Sequence, residues 1–233
     1  MIITDLIIGK FVKRPNRFLV LFEIDHEIFE AHLKDPGRLN ELLTPRIKLL
    51  LKRADNITKR KTKFDVIGVL HKKRWVIINS SLHSDLAADI IGSDFLRELK
   101  GYDIERREYS YGRSRIDFLL RKEKEKMLLE VKGCTLVEGG LALFPDAPTL
   151  RGKKHVLELT NALKESFKST VLFLIMRDDA KIFKPNYKMD PEFSNALKIA
   201  SDEGVKILAY SFKNILNRDV LKIEPFKPVK IRF

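Results

Sequence analysis

Six short apolar runs fill the first 80 residues: LIIGKFVKRP, RFLVLFEID, EIFEAHL, RIKLLLKRA, FDVIGVLH and RWVIIN. They are rich in β-branched and aromatic residues, and turn signals such as RPN, DPG and ADN separate them, so they read as strands. So many short strands leave exposed edges unless the sheet closes on itself. With a brief helical stretch, GRLNELL, between the third and fourth runs, the order predicts a five- or six-stranded barrel of the OB type over residues 1–80. Gly9, inside the first run, reads as a bulge or bend where such a barrel curves.

After Asn79 the pattern changes. SSLHSDLAADIIGSDFLREL opens with serines able to cap a helix and spaces Leu82, Leu86, Ile90 and Ile91 as one helical face. Four strands follow (ERREYSY, RIDFLLRK, KMLLEVKGCTL, LALFP). Then come a helix (TLRGKKHVLELTNALKESF), a strand (TVLFLIMR), a helix (PEFSNALKIASDEG) and a strand (VKILAYSF). The order predicts an α/β domain with a mixed sheet over residues 81–233, so the chain is of the two-domain α+β class. Its 233 residues, 44% of them hydrophobic, suffice for two cores.

The chain carries 45 Lys+Arg against 32 Asp+Glu, a net charge of +13. The first 80 residues hold 17 of the cations and only 9 of the acids. An anionic partner is expected. Glutamine is absent and Lys, Glu and Ile are abundant, as in heat-adapted proteins, but heat adaptation enriches Lys and Glu together and leaves the excess of one sign unexplained. The single cysteine, Cys134, forms no internal disulfide and reads as a small buried hydrophobe. No apolar run approaches the roughly 18 residues of a membrane span, and MIITDLIIGKF lacks the layout of a signal peptide, so a cytoplasmic protein is expected.

Two strands carry charge where burial is expected: Asp117 interrupts RIDFLLRK, and Glu130 and Lys132 interrupt MLLEVKG. Strand alternation points Glu130 and Lys132 to one side, and a hairpin between the strands brings Asp117 beside them. Adjacent carboxylates resist joint ionisation unless a cation neutralises them, and a divalent ion with oxygen ligands, Mg²⁺ or Mn²⁺, meets that need. Such an ion polarises phosphoryl oxygens and generates hydroxide, while the lysine orients water or stabilises developing charge. Plain salt bridges, Glu130 with Lys132 or Asp117 with Arg115, are the competing reading.

The spacing D-x12-E-x-K after an acid-bearing helix resembles the PD-(D/E)XK nuclease core, with Asp117, Glu130 and Lys132 at its motif positions. The surrounding text is more specific. SRIDFLL, LLEVKGCTLVEGGLALFPDAPTLRGKKHVLEL, DPGRLNELL, ADNITKRK and INSSL resemble the sugar fermentation stimulation protein (SfsA) family over essentially the whole chain. The resemblance implies an OB-type domain before a restriction-endonuclease-like domain, and DNA binding. Where the family pattern reads NTGRM this chain reads KDPGRLN, so Gly37 and Arg38 match and the polar residue before them does not. Of the acid pair carried by the helix after Asn79, only Asp89 falls at a matching place, as a third candidate metal ligand.

Further candidates are basic. Arg151, Lys153, Lys154 and His155 open a predicted helix, whose free backbone donors favour phosphate; the resemblance includes Arg151 and His155. Arg60, Lys61 and Lys63 fall in a predicted barrel loop of the kind that holds nucleic acid, and Arg38 and Arg115 join this set. Trp75 and Phe64 are candidates to stack on bases or to pack in the core, and Asp146 to cap the following helix. The expected partner is DNA, double-stranded sooner than single-stranded, and oligomerisation is left open. Three functions compete: a DNA-binding metal-dependent phosphodiesterase, a DNA-binding regulator of sugar utilisation that does not cut, and an RNA-binding or RNA-processing protein.

Overall fold

A computed structural model describes residues 1–54, 60–93 and 95–233; the Asp55–Asn56 turn signal lies outside the described residues. The chain divides into two compact units. One takes in Met1–Leu82, Met176–Asp178 and Phe212–Glu224; the other takes in His83–Ile175, Asp179–Ser211 and Pro225–Phe233.

The first unit holds β1 (Ile2–Ile3), β2 (Leu6–Asn16), β3 (Leu19–Ile24), β4 (Glu27–His32), β5 (Lys48–Arg53), β6 (Phe64–His71) and β7 (Arg74–Ile77). Antiparallel neighbours run β4-β3-β2-β5-β6, and a parallel pairing of Ala31 with Phe64 and His32 with Asp65 joins β4 to β6. The result is a closed five-stranded OB-type barrel, with β7 added as a hairpin on β6. Its interior is built on Val20, Phe22, Leu49, Leu51, Phe64, Val66 and Val69. A Cβ on Gly9 would lie 2.6 Å from Phe22 Cδ2 and 2.9 Å from Leu51 Cδ1, so glycine gives these side chains room. Gly9 pairs regularly with Leu49; the irregularities of β2 come later, between Phe11 and Lys13 and between Lys13 and Asn16. GRLNELL forms a single turn rather than a helix, in which Leu42 and Leu43 donate to Leu39 O. Leu39 has φ 53°, which breaks a right-handed run, and Leu39 and Leu42 are buried in the barrel core.

The second unit begins with α1 (His83–Ile90), β8 (Asp103–Tyr111), β9 (Ser114–Lys122), β10 (Glu125–Cys134), β11 (Val137–Glu138), β12 (Leu141–Phe144) and α2 (Leu150–Leu163). It continues with β13 (Lys168–Ile175), β14 (Ile182–Pro185), α3 (Pro191–Glu203), β15 (Lys206–Asn217), β16 (Val220–Pro228) and β17 (Lys230–Ile231). The Phe212–Glu224 portion of the β15–β16 hairpin belongs to the first unit, where β16 pairs with β1 through Ile2–Lys222 and Ile3–Leu221. The main sheet runs β15-β13-β10-β9-β8: β13 is parallel to β10 and β15, and β9 is antiparallel to β10 and β8. A smaller sheet, β11-β12-β14-β17, holds three strands the sequence does not announce, β11, β14 and β17. β14 is only IFKP, and β16, likewise unpredicted, carries two prolines.

Capping explains where the helices start. Thr149 caps α2, its side chain accepting from Gly152 N at 3.1 Å, so the cap is Thr149 and not Asp146. Asp190 caps α3 through Phe193 N at 2.9 Å and also accepts from Thr149 N at 2.8 Å, tying the two helix starts together. Thr149→Ala should lower stability by about 1 kcal/mol, read from a urea midpoint shift at unchanged slope. No change would show that the Asp190 tie alone sets the start of α2. α2 packs on α3 and β13, over a core that includes Leu128, Val156, Leu159, Phe173, Phe193 and Leu197.

Candidate functional site

The β9–β10 ladder runs from Lys122–Glu125 to Phe118–Leu129. Just beyond it, the Asp117 carboxylate takes the Val131 N–H, Oδ2 accepting at 2.7 Å. β13 keeps pairing with the other edge of β10, opposite Glu130 and Lys132, so β10 stays in the sheet through the site.

Glu130 is the centre of the arrangement and only 2% exposed. Its Oε1 accepts from Lys132 Nζ at 2.5 Å and meets His155 Nδ1 at 2.5 Å. Arg151 Nε donates to His155 Nε2 at 3.3 Å, so the hydrogen of a neutral His155 lies on Nδ1 and points at Glu130. Glu130 Oε2 is enclosed and has no hydrogen-bond partner among the described residues. Burial alone would push the Glu130 carboxyl up, but the Lys132 charge and the hydrogen bonds from His155 and Lys132 hold it below the ordinary carboxylate range. Asp117 goes the other way: burial, then the Glu130 charge, pushes it up to about 6 against the opposing Val131 N–H and Lys132. Two carboxyl groups in one place are thus driven apart in proton affinity.

This donor set suits a hard divalent cation: an enclosed carboxylate oxygen without a partner lies beside a second carboxylate whose ionisation is opposed by the first. Among the described residues, no group of three or more His, Cys, Asp or Glu side chains is arranged to hold a metal, and Asp89 is exposed on α1. The structure therefore brings together Asp117, Glu130 and Lys132 but does not add Asp89 as a third acid.

The basic candidates divide. His155 is 4% exposed and is Glu130's partner, so it offers no surface to nucleic acid. Arg115 pairs with Glu108, not with Asp117. Lys154 donates to Arg113 O at 2.5 Å and Glu158 accepts from Arg113 N at 3.0 Å, which ties the β8–β9 turn to α2. Lys153 pairs with Glu192 at 2.9 Å, and Arg151 and Arg38 are exposed. In the barrel, Arg60 pairs with Asp65, while Lys61 and Lys63 are exposed. Phe64 is core and Trp75 half-buried, so neither is the open stacking face the sequence suggested. The His155–Glu130 contact is the feature sequence reading missed: the two lie 25 positions apart on different elements, and nothing in the spacing marks them as neighbours.

A closed OB-type barrel followed by a restriction-endonuclease-like mixed-sheet domain defines, by fold, a two-domain class. Two family profiles match in that order: "SfsA N-terminal OB domain" over residues 12–78 and "Sugar fermentation stimulation protein RE domain" over residues 81–217. The chain belongs to the sugar fermentation stimulation protein (SfsA) family. It is 51% identical over 233 residues to the sugar fermentation stimulation protein homolog of Methanothermobacter thermautotrophicus, covering 100% of this chain and 96% of that one. To the homolog of Methanosphaera stadtmanae it is 45% identical over 237 residues, covering 100% and 98%. The solved structure of Pyrococcus furiosus SfsA in complex with Ca²⁺ superposes with a TM-score of 0.92 at 29% identity, covering 100% of this chain and 98% of that chain. No helix among the described residues is long and apolar enough to cross a membrane.

Proposed function

We propose that this chain binds DNA and that Asp117, Glu130 and Lys132 form a divalent-metal-dependent phosphodiesterase site in its second unit. The observation that carries this reading is the unpartnered, enclosed Glu130 Oε2 beside an Asp117 that resists ionisation. Salt bridging alone explains Glu130 Oε1 and leaves Oε2 without a purpose. A relative of the same fold was solved in complex with Ca²⁺, an oxygen-seeking cation, which supports the same chemistry here. The net charge of +13 supports a polyanionic partner.

In this reading Asp117 and Glu130 hold Mg²⁺ or Mn²⁺. When bound, the ion supplies Lewis-acid polarisation of a phosphoryl oxygen and a hydroxide source near neutral pH. Lys132, held on Glu130, stabilises charge developing on the phosphate or orients the attacking water. His155 holds Glu130 Oε1 and so leaves Oε2 for the cation.

The test is an incubation with labelled single- and double-stranded DNA and RNA over Mg²⁺, Mn²⁺ and Ca²⁺. Wild type should cleave DNA with Mg²⁺ or Mn²⁺, Asp117→Ala should be inactive, and Lys132→Ala should lose roughly 10²–10³-fold in rate while still binding metal. Cleavage by Asp117→Ala would discard the assignment. DNA binding without cleavage in any metal would leave a regulator with a metal site, and cleavage of RNA alone would replace DNA as the substrate.

A further inference from the structure

The barrel's closing seam carries a second cluster that the carboxylate site does not use. His32 ends β4, Lys34 follows it, and Asp65 lies opposite His32 in the parallel pairing that joins β4 to β6. Two cations converge on this one carboxylate: Lys34 Nζ lies 3.0 Å from Asp65 Oδ2, and Arg60 Nη1 lies 3.1 Å from the same oxygen, with Nη2 on Oδ1. Arg60 Nη2 also donates to His32 Nδ1 at 3.3 Å, which leaves the His32 ring neutral with its hydrogen on Nε2. The cluster therefore keeps a net positive charge around a flat, uncharged imidazole. Lys61 and Lys63 stand exposed next to Arg60.

Phe18, in the β2–β3 connection, brings an aromatic face to the same place. It is 50% exposed, and its ring centroid lies 6.3 Å from that of His32 at 68°. The exposure does not come from a loose loop. Phe18 N donates to Asn16 Oδ1 at 2.9 Å, and Phe18 O accepts from Leu33 N at 2.9 Å. Arg14 clamps the surroundings, donating to Arg17 O and Arg38 O at 2.7 Å and to Gly37 O at 2.8 Å. An apolar ring pinned half in water beside surplus cations is organised for a flat ligand carrying negative charge.

We propose that Phe18, His32, Lys34 and Arg60, with Lys61 and Lys63 beside them, form a site for single-stranded nucleic acid. An unpaired base lies against Phe18 and His32, and the adjoining phosphates lie along the cations. In an OB barrel the connections between the first and second strands and between the fourth and fifth strands border the face that binds oligonucleotides; here Phe18 lies in the first of these, and Arg60, Lys61 and Lys63 lie where the second runs into β6. Their meeting through His32 explains why the seam bears two cations for one acid. A base paired within a duplex cannot present its face to Phe18, so the site selects unpaired strands. This deepens the nucleic-acid part of the function proposed above and is independent of cleavage.

The experiment uses the full chain carrying Asp117→Ala, in EDTA, so that cutting plays no part. Fluorescence anisotropy reads the Kd for an oligothymidylate of about 12 nucleotides and for a hairpin duplex of similar length. The single strand should bind more tightly. Phe18→Ala should weaken it roughly 10-fold or more with the duplex Kd and the melting temperature unchanged, and Phe18→Trp should restore it. Lys61→Ala and Lys63→Ala should each lower the slope of log Kd against log salt by about 0.7. Equal losses for single strand and duplex in Phe18→Ala, or none, would overturn the stacking site while leaving nucleic-acid binding intact. Binding of neither probe would overturn both this site and the nucleic-acid part of the reading, whatever the metal experiments show.

Discussion

Asp117→Asn should unfold at a higher temperature than the wild type at pH 7 in metal-free buffer. The Asp117 carboxyl is pushed from an ordinary 3.8 to about 6 by burial and by Glu130. Below pH 4 the folded and unfolded chains both keep this proton, and the group costs nothing. As pH rises through 6 the unfolded chain has already released its proton, so the folded state loses stability, by up to about 3 kcal/mol once ionisation is complete. Asparagine removes that loss and can still accept from Val131 N. Glu130→Gln should have the opposite sign. Glu130 is held below its ordinary range, so its contribution is present above that range and is lost as pH falls. Removing its charge strands Lys132 and should cost roughly 3–5 kcal/mol at pH 7. Mg²⁺ or Mn²⁺ should raise the melting temperature of the wild type and leave both variants nearly unmoved. Melting curves between pH 4 and 8, with and without metal, check all three statements. An Asp117→Asn chain less stable than wild type at pH 7, or equal metal shifts in all three proteins, would mean that the acids form only a salt-bridge network.

Gly133→Ala should destabilise the second unit by roughly 1–3 kcal/mol, because the new methyl must displace a ring. A Cβ at Gly133 would lie 1.9 Å from His83 Cε1 and 2.5 Å from its Nδ1. His83 opens α1, and its Nε2 is enclosed without a hydrogen-bond partner among the described residues. That enclosure pushes the imidazole down to about 4, so the ring stays neutral and gains nothing from charge where it lies. The ring holds its place by packing on the bare Cα of Gly133, one residue past Lys132. His83→Ala should therefore recover most of the loss in a Gly133→Ala background, and a double-mutant cycle from urea titrations measures the coupling. Additive losses would show that the clash is relieved elsewhere.

How far these features could be read in advance depends on the distance over which they act. The strands of the barrel and of the main sheet follow from alternation and turn residues, which are local, and α3 is framed by Asp190 and Gly204. Asp117, Glu130 and Lys132 were visible because charge in an apolar strand is costly and so needs a reason. What escaped was long-range. The β4–β6 seam is two residue pairs between segments over 30 positions apart, and no periodicity encodes it. On sequence alone His155 is a phosphate contact near the start of a helix, and only the packing of α2 turns it inward onto Glu130. In the sequence Phe18 is one more residue of an apolar run, and only its exposure in the fold separates it from buried Phe22. GRLNELL has helical composition, but burying Leu39 and Leu42 in the barrel outweighs one or two turns of helix that could not sustain themselves.

The pairing of β1 with β16 has a consequence for the order of synthesis. The five barrel strands all lie between Leu6 and His71, so a nascent chain can close the barrel early. The rest of that unit cannot form then, because Ile2 and Ile3 pair with Lys222 and Leu221, and Ile77 N donates to Met176 O. Ile2 and Ile3 must keep an unpaired edge until Leu221 and Lys222 have been made. During that interval the apolar Ile2–Ile3 edge is open to pairing with other chains.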